Sequence, residues 1–185
     1  MFTKMYELGR DYGIDVKVAF QAKQEPGRHW KAEHFSYPYP HYFSKGIGKI
    51  TDQEKMSYYL INRDILQDIV SGEYQWALFA PFLSITNWMA SFIPTKTRKI
   101  LWSESNLQST KYIDPFSRLI KSMAIKNFDG LACPGLRAIE YLTYLAPSMS
   151  SKPWLRLPNV VDTDKFSRGV LDFKSQRSRL REKYN

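Results

Sequence analysis

The chain has 185 residues, enough for one α/β domain with a substantial core and for about two domains at most. Hydrophobic residues make up 43% and aromatics 15%, which excludes a disordered or collagen-like chain. Lys and Arg number 27 against 18 Asp and Glu, a formal charge of +9 that fits an anionic partner or an ordinary solvated basic surface.

The apolar pattern alternates between helical spacing and short continuous runs, as βαβ units do. A first helix carries Phe2, Met5, Tyr6 and Leu8 on one face, with Gly9 and Gly13 after it. Val16–Phe20 reads as a strand, its β-branched and aromatic residues suited to a pleated sheet. Gln21–His41 is polar and broken by Pro26, Gly27, Pro38 and Pro40, with a second strand expected around His34–Tyr37 and a mobile loop beyond. Thr51 and Glu54 form a capping box, which predicts a helix that Met56, Tyr59, Leu60, Leu66, Ile69 and Val70 carry to Gly72.

Trp76–Ala80 is continuously apolar and predicts a strand buried on both faces. Ser84 is placed to cap a short helix through Ile85, Trp88, Met89 and Phe92, which stops before Pro94. Lys99–Ser103 is another strand. Asp114 caps a helix with Pro115 in its first turn, where the missing N–H costs nothing, and Phe116, Leu119, Ile120 and Met123 form its expected buried stripe. Asp129–Cys133 is a short strand, turned by Pro134 and Gly135 into the helix Leu136–Leu145. Trp154–Leu157 is the last strand, and Lys174–Lys183 is a charged helix. Strands and helices that alternate throughout predict an α/β, Rossmann-like fold: a mostly parallel sheet flanked by helices.

Compartment signals are negative in kind. Cys133 stands alone, so neither an internal disulfide nor a multi-cysteine metal site can form. Met1–Gly13 carries Lys4, Glu7, Arg10 and Asp11, which no signal-peptide core tolerates. The longest apolar stretch, Trp76–Phe92, is interrupted by Pro81, Ser84, Thr86 and Asn87, short of the roughly 20 apolar residues a spanning helix needs. No Asn-x-Ser/Thr sequon occurs. The expected location is cytoplasmic, with peripheral contact at the inner face of the membrane.

One stretch is more specific: Leu157-Pro158-Asn159-Val160-Val161-Asp162-Thr163-Asp164-Lys165-Phe166. It resembles the P-N-G-V-D-x-x-x-F signature of family-four glycosyltransferases with the GT-B fold, where the chain leaves the N-terminal domain. Gly135-Leu136-Arg137-Ala138-Ile139-Glu140-Tyr141-Leu142 ahead of it looks like the family's preceding strand-turn-helix. Arg179-Leu180-Arg181-Glu182-Lys183-Tyr184 after it looks like the helix leading into the second domain. Val160 departs from the usual glycine, so the turn is a variant, and nothing catalytic depends on it. Physically the stretch suits a domain exit: Pro158 ends a strand, Asn159 and Asp162 can bond their own backbone, and Phe166 is placed to anchor the linker.

The resemblance implies that residues 1–166 are the acceptor-side Rossmann-like domain of a GT-B enzyme and that 167–185 begin a linker to an absent donor-binding domain. It implies a chain trimmed at both ends, its first strand missing through truncation or a start at an internal Met. Neighbours such as Val16–Phe20 would then keep unpaired edges. It further implies a retaining transfer from a nucleotide-sugar co-substrate to a glycan, polysaccharide or lipid-linked acceptor, with no other cofactor and no metal. This portion alone would be inactive. Glu25 and Glu33 satisfy the family's Glu-x7-Glu spacing by count, but in a Pro/Gly loop without strand-helix context, and are rejected.

Ligands of open α/β sheets collect beyond the carboxyl ends of strands. Ser103-Glu104-Ser105-Asn106 follows a strand there and looks like the family's acceptor-contacting segment. Glu104 is the catalytic candidate, able to orient or deprotonate an acceptor hydroxyl, against the plain reading of a surface or capping glutamate. Gly135 opens a helix whose free N–H groups can meet a phosphate, against the plain reading of a tight turn. Phe82-Leu83-Ser84 is a weaker candidate of the same kind.

Tyr39 and His41, in an aromatic stretch with Trp30, Tyr37 and Tyr42, are placed to stack on a sugar or simply to pack. His29, His34 and His41, at spacings of 5 and 7, share no helix face that would hold a metal. Lys96, Arg98, Lys99, Lys111, Arg118, Lys121 and Lys126 offer either a face for anionic membrane or a solvated one. Two other functions compete. A dinucleotide- or nucleotide-binding Rossmann module needs Gly-x-Gly-x-x-Gly, which does not occur. A basic nucleic-acid-binding domain needs a continuous basic stripe or known motif, and neither is evident, so no nucleic-acid partner is expected.

Overall fold

The computed structural model describes residues 2–23, 35–51, 57–80, 84–109, 114–158, 163–174 and 176–184. Its element order is α1 (Phe2–Asp11), β1 (Val18–Phe20), β2 (His41–Phe43), β3 (Ile47–Thr51), β4 (Ser57–Ile61), α2 (Arg63–Ser71), β5 (Trp76–Phe79), α3 (Ile85–Phe92), β6 (Arg98–Trp102), α4 (Pro115–Ile125), β7 (Gly130–Cys133), α5 (Leu136–Leu145), β8 (Trp154–Arg156), α6 (Thr163–Lys174) and α7 (Arg177–Tyr184). A 3-10 turn, Pro147–Ser151, joins α5 to β8.

The centre of the molecule is a four-stranded parallel sheet in the order β5-β6-β7-β8. Helices α2, α3, α4 and α5 pack on one another in succession. Against their inner side the sheet places Phe79, Leu101, Leu131 and Cys133, and the helices contribute Ile69, Ala90, Ile125, Ala138, Tyr141, Leu142 and Leu145. Phe79 and Phe128 meet edge to face at 5.5 Å, a favoured aromatic geometry. The fold class read from the sequence holds at this level: α/β, with a parallel sheet flanked by helices, compatible with a Rossmann-like fold.

Local chemistry sets the helix limits. Ser84 accepts a hydrogen bond from the Asn87 N–H and Asp114 from the Ser117 N–H, so both expected N-caps are made. Gly72 closes α2 in the left-handed region, with φ 67°.

Other expectations are corrected. The helix expected from Thr51 onward is instead a hairpin followed by a shorter helix: β3 and β4 pair antiparallel from Ile47↔Ile61 to Thr51↔Ser57. The Tyr-Tyr-Leu-Ile run of β4 favours a pleated strand, which outweighs the capping-box pattern. The strand expected around His34–Tyr37 is not formed at Phe35–Tyr37, and His34 lies outside the described residues; the strand is β2, beginning after Pro40.

Trp76–Ala80 is not buried on both faces. It is the sheet's outer strand among the described residues, and Trp76 is 58% exposed. On α4 most of the expected stripe is turned outward: Phe116 is 70% exposed, and Leu119 and Met123 are also exposed, while Ile120 is half-buried and Ser122, Ala124 and Ile125 are buried. Apolar periodicity identifies an amphipathic face without saying whether the domain itself covers it. Phe166 anchors nothing here, being exposed on α6, and Asn159–Asp162 lie outside the described residues. The charged helix expected at Lys174–Lys183 is α7, Arg177–Tyr184, and a further helix not read from the sequence, α6, precedes it at Thr163–Lys174.

The sheet is not continuous. β1 and β2 form a separate parallel pair, Val18↔His41 to Phe20↔Phe43, with no ladder to β5 among the described residues.

Candidate functional site

The carboxyl ends of β6 and β7 lie side by side because the two strands are parallel neighbours, Trp102 opposite Ala132. The Ser103 N–H extends that ladder by donating to the Ala132 carbonyl at 3.1 Å, which fixes the start of the loop after β6. Ser103 is itself buried and its Oγ accepts from the Ser105 N–H at 3.4 Å, so its hydroxyl shapes the loop rather than facing solvent. Glu104 points outward and is exposed. The Asn106 Oδ1 accepts from the Ser109 N–H at 2.8 Å and the Ser109 Oγ donates back to the Asn106 carbonyl at 3.0 Å, an Asx turn that uses one end of the Asn106 amide. The rigid part of this loop is therefore Ser103 and Asn106, and the part available for chemistry is Glu104.

After β7, Gly135 precedes α5 with φ −176°, an extended conformation any residue adopts, and a Cβ there would meet nothing. No tight turn requires this glycine. Beside it an open, largely apolar cleft of about 460 Å³ is lined by Gly135, Leu136, Arg137, Trp154 and Arg156. The register Cys133↔Arg156 brings β8 to the first turn of α5. Trp154 and Arg156, two apart on a strand, share a face. The surface of the cleft is thus almost wholly apolar, with Arg137 and Arg156 among the residues that line it beside Trp154. Arg137 also reaches Glu140 at 3.2 Å, an exposed pair that holds it weakly.

Tyr39 and His41 are placed differently. Tyr39 is buried, in a run of rings in which Tyr37, Tyr39, His41 and Phe43 follow at every second residue. Phe20 stacks on Phe43 at 4.9 Å, and the His41 ring shares a 3.0 Å hydrogen bond between Nδ1 and the Tyr39 carbonyl. Burial raises the Tyr37 and Tyr39 phenols above the ordinary tyrosine range. Tyr39 packs inside the β1–β2 pair, Tyr37 is half-buried beside it, and His41 is exposed. Their link to the β6 end is Phe2, which meets Tyr39 at 6.2 Å and Trp102 at 6.3 Å. The structure sets Ser103 beside Ala132 at the ends of the neighbouring strands β6 and β7, and Gly135 follows β7 at the same edge.

Cys133, at the end of β7, is fully buried, and burial pushes its thiol up to about 11, so it is no nucleophile at neutral pH. No group of three or more His, Cys, Asp or Glu able to hold a metal occurs among the described residues. No described helix is long and apolar enough to cross a membrane.

Sequence reasoning missed two features. One is the Arg156–Trp154 side of the cleft, which alternation within Trp154-Leu155-Arg156 signals once β8 is known to pair with β7. The other is a buried polar network. The Asn62 Nδ2 donates to the Gln21 carbonyl at 2.9 Å and to the Ser44 Oγ at 2.8 Å, while the Asn62 N–H donates to the Thr86 Oγ1 at 3.0 Å. The Gln21 Nε2 donates to the Asn87 Oδ1 at 2.8 Å, the Ser84 hydroxyl donates to the Gln21 Oε1, and the Ser44 hydroxyl donates to Asp64. With its members satisfying one another, the network ties β1 and β2 to α2 and α3.

Comparison with known proteins adds no neighbour: no family model, no curated protein and no solved structure matches the chain. What the fold and site define is a class, an α/β protein whose four-stranded parallel sheet is flanked by helices and carries a polar loop and a cationic, aromatic cleft at its carboxyl edge.

Proposed function

We propose that the chain is the acceptor-binding half of a retaining GT-B glycosyltransferase, which moves a sugar from a nucleotide-sugar to a glycan, polysaccharide or lipid-linked acceptor. The single observation that carries the reading is at the sheet's carboxyl edge, where the exposed Glu104 projects from a loop pinned by Ser103 and Asn106 after β6, while the neighbouring strand β7 runs on to Gly135 and the cleft lined by Arg137, Trp154 and Arg156. The Pro158–Phe166 exit pattern supports it independently.

On this reading an acceptor hydroxyl sits at Glu104, whose carboxylate orients it and accepts its proton as the glycosidic bond forms. Ser105 and the Asn106 amide hydrogen-bond neighbouring hydroxyls, and the Trp154 indole offers a sugar or isoprenoid an apolar surface. Arg137, Arg156 and the N–H groups that follow Gly135 neutralise phosphate carried by a lipid-linked acceptor. The donor half closes over this edge, so the portion described here holds the acceptor and turns nothing over alone.

A lipid-linked acceptor brings the protein to a cytoplasmic membrane face. Exposed Phe116, Leu119 and Met123 on α4, with Lys121 on the same helix and Lys126 just beyond it, suit such peripheral contact. Arg118 takes no part, since its guanidinium stacks on the Tyr144 ring at 4.2 Å and donates to the Tyr144 carbonyl. The second reading, a nucleotide-binding module, draws on the same cleft, because Trp154 with Arg137 and Arg156 beside a helix start also suits a base and its phosphate.

A ¹⁵N titration separates the two. Short glycans and a water-soluble isoprenyl phosphate should shift amides of Ser103–Asn106 and Gly135–Arg137 together. Shifts confined to Gly135–Arg137 with UDP or ATP favour the nucleotide module. Shifts with none of these ligands remove the acceptor reading.

A further inference from the structure

The four-stranded sheet has two unlike faces. On the helix side Lys99, Leu101 and Ser103 are buried at every second residue along β6 and just past it, and so are Leu131 and Cys133 of β7. Alternation turns Trp102 to the opposite side, and because the Ser103 N–H continues the ladder to Ala132, Glu104 follows it there. Trp154 and Arg156 stand level with Leu131 and Cys133, so the cleft beside Gly135 belongs to the helix side. Trp102 and Glu104 therefore share a second place at the same carboxyl edge, one that faces α1.

What meets Trp102 there is aromatic. The Phe2 ring, in the first turn of α1, lies edge to face with Trp102 at 6.3 Å and with Tyr39 at 6.2 Å. Two polar groups of these rings go unused. The Trp102 Nε1–H is buried and has no hydrogen-bond partner among the described residues. The Tyr39 hydroxyl has none among them either, on a residue only 6% exposed. Buried polar groups without partners are rare in folded proteins, and they mark places where another molecule belongs. A phenyl face is a poor acceptor for an indole N–H, so Phe2 covers these groups without satisfying them. The helix that carries it is lightly held: Gly9 is the buried residue of α1, while Met5 and Leu8 are exposed.

We propose that Phe2 is the plug of a sugar subsite on the α1 side of the carboxyl edge, in which the Trp102 indole N–H and the Tyr39 hydroxyl bind ring hydroxyls of the acceptor and bring a further one to Glu104. The ligand class follows from the groups. Aromatic rings suit the apolar faces of a sugar, and a few placed polar groups fix its orientation. Two neutral donors suit hydroxyl oxygens and leave the charge of a phosphate uncompensated. Phosphate goes instead to Arg137 and Arg156 on the helix side, so the edge divides sugar from phosphate. Sugar enters as Phe2 swings out with the first turn of α1. The inference rests on the acceptor reading for the role of Glu104, and it adds where the sugar lies and which groups hold it.

The test is an indole ¹H–¹⁵N titration of the whole chain with methyl glucoside, methyl galactoside and methyl mannoside, the Trp102 signal being assigned by its loss in Trp102→Phe. The expected result is a saturable shift of the Trp102 indole N–H with at least one of them. Phe2→Ala should tighten that binding about three- to tenfold, since the plug no longer has to be displaced. Tyr39→Phe keeps the ring and loses the hydroxyl, and should weaken it about three- to tenfold, the worth of one hydrogen bond. A Trp102 indole unmoved by all three glycosides, in wild type and in Phe2→Ala, overturns the proposal. Shifts confined to the Trp154 indole and the Gly135–Arg137 amides overturn it too, while leaving the acceptor reading in place; silence of every amide and indole removes both. Binding weakened by Phe2→Ala overturns the plug, and binding unchanged by Tyr39→Phe overturns the part given to that hydroxyl.

Discussion

Lys99 is a charged side chain inside the helix-facing side of the sheet, 7% exposed, and the reason is local. α3 ends against β6, and its last carbonyls have no intrahelical partner. The Lys99 Nζ donates to the Ser91 carbonyl at 2.7 Å and the Ile93 carbonyl at 2.9 Å, with Ala90 at 3.4 Å. Lys99→Met keeps the length of the side chain and removes these bonds. Hydrogen bonds to a charged group contribute about 1.5–3 kcal/mol each, and relief of the buried ammonium offsets part of the two short ones. The expected net loss is therefore about 2–3 kcal/mol, a shift of about 1 M in the urea midpoint at the usual slope.

The pH dependence has a definite sign. Desolvation lowers the Lys99 ammonium below its ordinary 10.5, partly opposed by Asp129. Between the lowered native value and 10.5 the unfolded chain binds more protons, so stability contributed through Lys99 rises with pH across that window. Urea unfolding followed by circular dichroism, wild type against Lys99→Met from neutral pH to 10.5, measures both. A variant as stable as wild type, or more stable, refutes the argument that Lys99 caps α3.

Other outcomes follow from single sites. The Cys133 thiol, raised to about 11 from an ordinary 9.0, stays unreactive toward a disulfide reagent in the native state at pH 8 and reacts once urea unfolds the chain. Because the native state keeps that proton longer, stability through Cys133 falls as pH climbs from 9 to about 11, a trend Cys133→Ala should lack. Gly130→Ala sets a Cβ 2.9 Å from the Pro153 carbonyl and 3.0 Å from Ile100, and should cost about 1–3 kcal/mol in urea midpoint terms while Gly135→Ala, with open space, costs little. Serine at Phe116, Leu119 and Met123 together should abolish co-flotation with vesicles containing anionic lipid, leaving the melting temperature within a few degrees; binding that survives the triple change removes α4 as the membrane face.

The parts of the fold readable in advance are those with one strong local cause. Trp76–Phe79, Lys99–Trp102 and Gly130–Cys133 are short apolar runs between breakers, and Ser84 and Asp114 sit where a helix needs an oxygen at its start. Residues 51–61 misled because Thr51 and Glu54 satisfy a helix signal while Tyr58–Ile61 satisfies a strand signal, and the antiparallel partner that decides lies at Ile47–Thr51. On α4 the periodicity of Phe116, Leu119 and Met123 was legible but its direction was not, since burial depends on what else covers the helix. The Ser103–Asn106 loop could be found because it follows a strand. Arg156 could not, because its place beside Gly135 exists only through the pairing of β8 with β7. Tyr39 and His41 have a ring composition that suits sugar and core alike, and the structure buries Tyr39 while leaving His41 exposed.

The central claim is that Glu104 stands at an acceptor site on the sheet's carboxyl edge. Its most direct measurement is sugar transfer from UDP- and GDP-sugars by this portion joined to its donor half, wild type against Glu104→Gln. The account predicts transfer to a glycan or lipid-linked acceptor that falls about 10²–10⁴-fold in Glu104→Gln with thermal stability unchanged, as loss of a proton acceptor on an exposed loop requires. Transfer undiminished by Glu104→Gln, or no transfer from any of these donors, contradicts it.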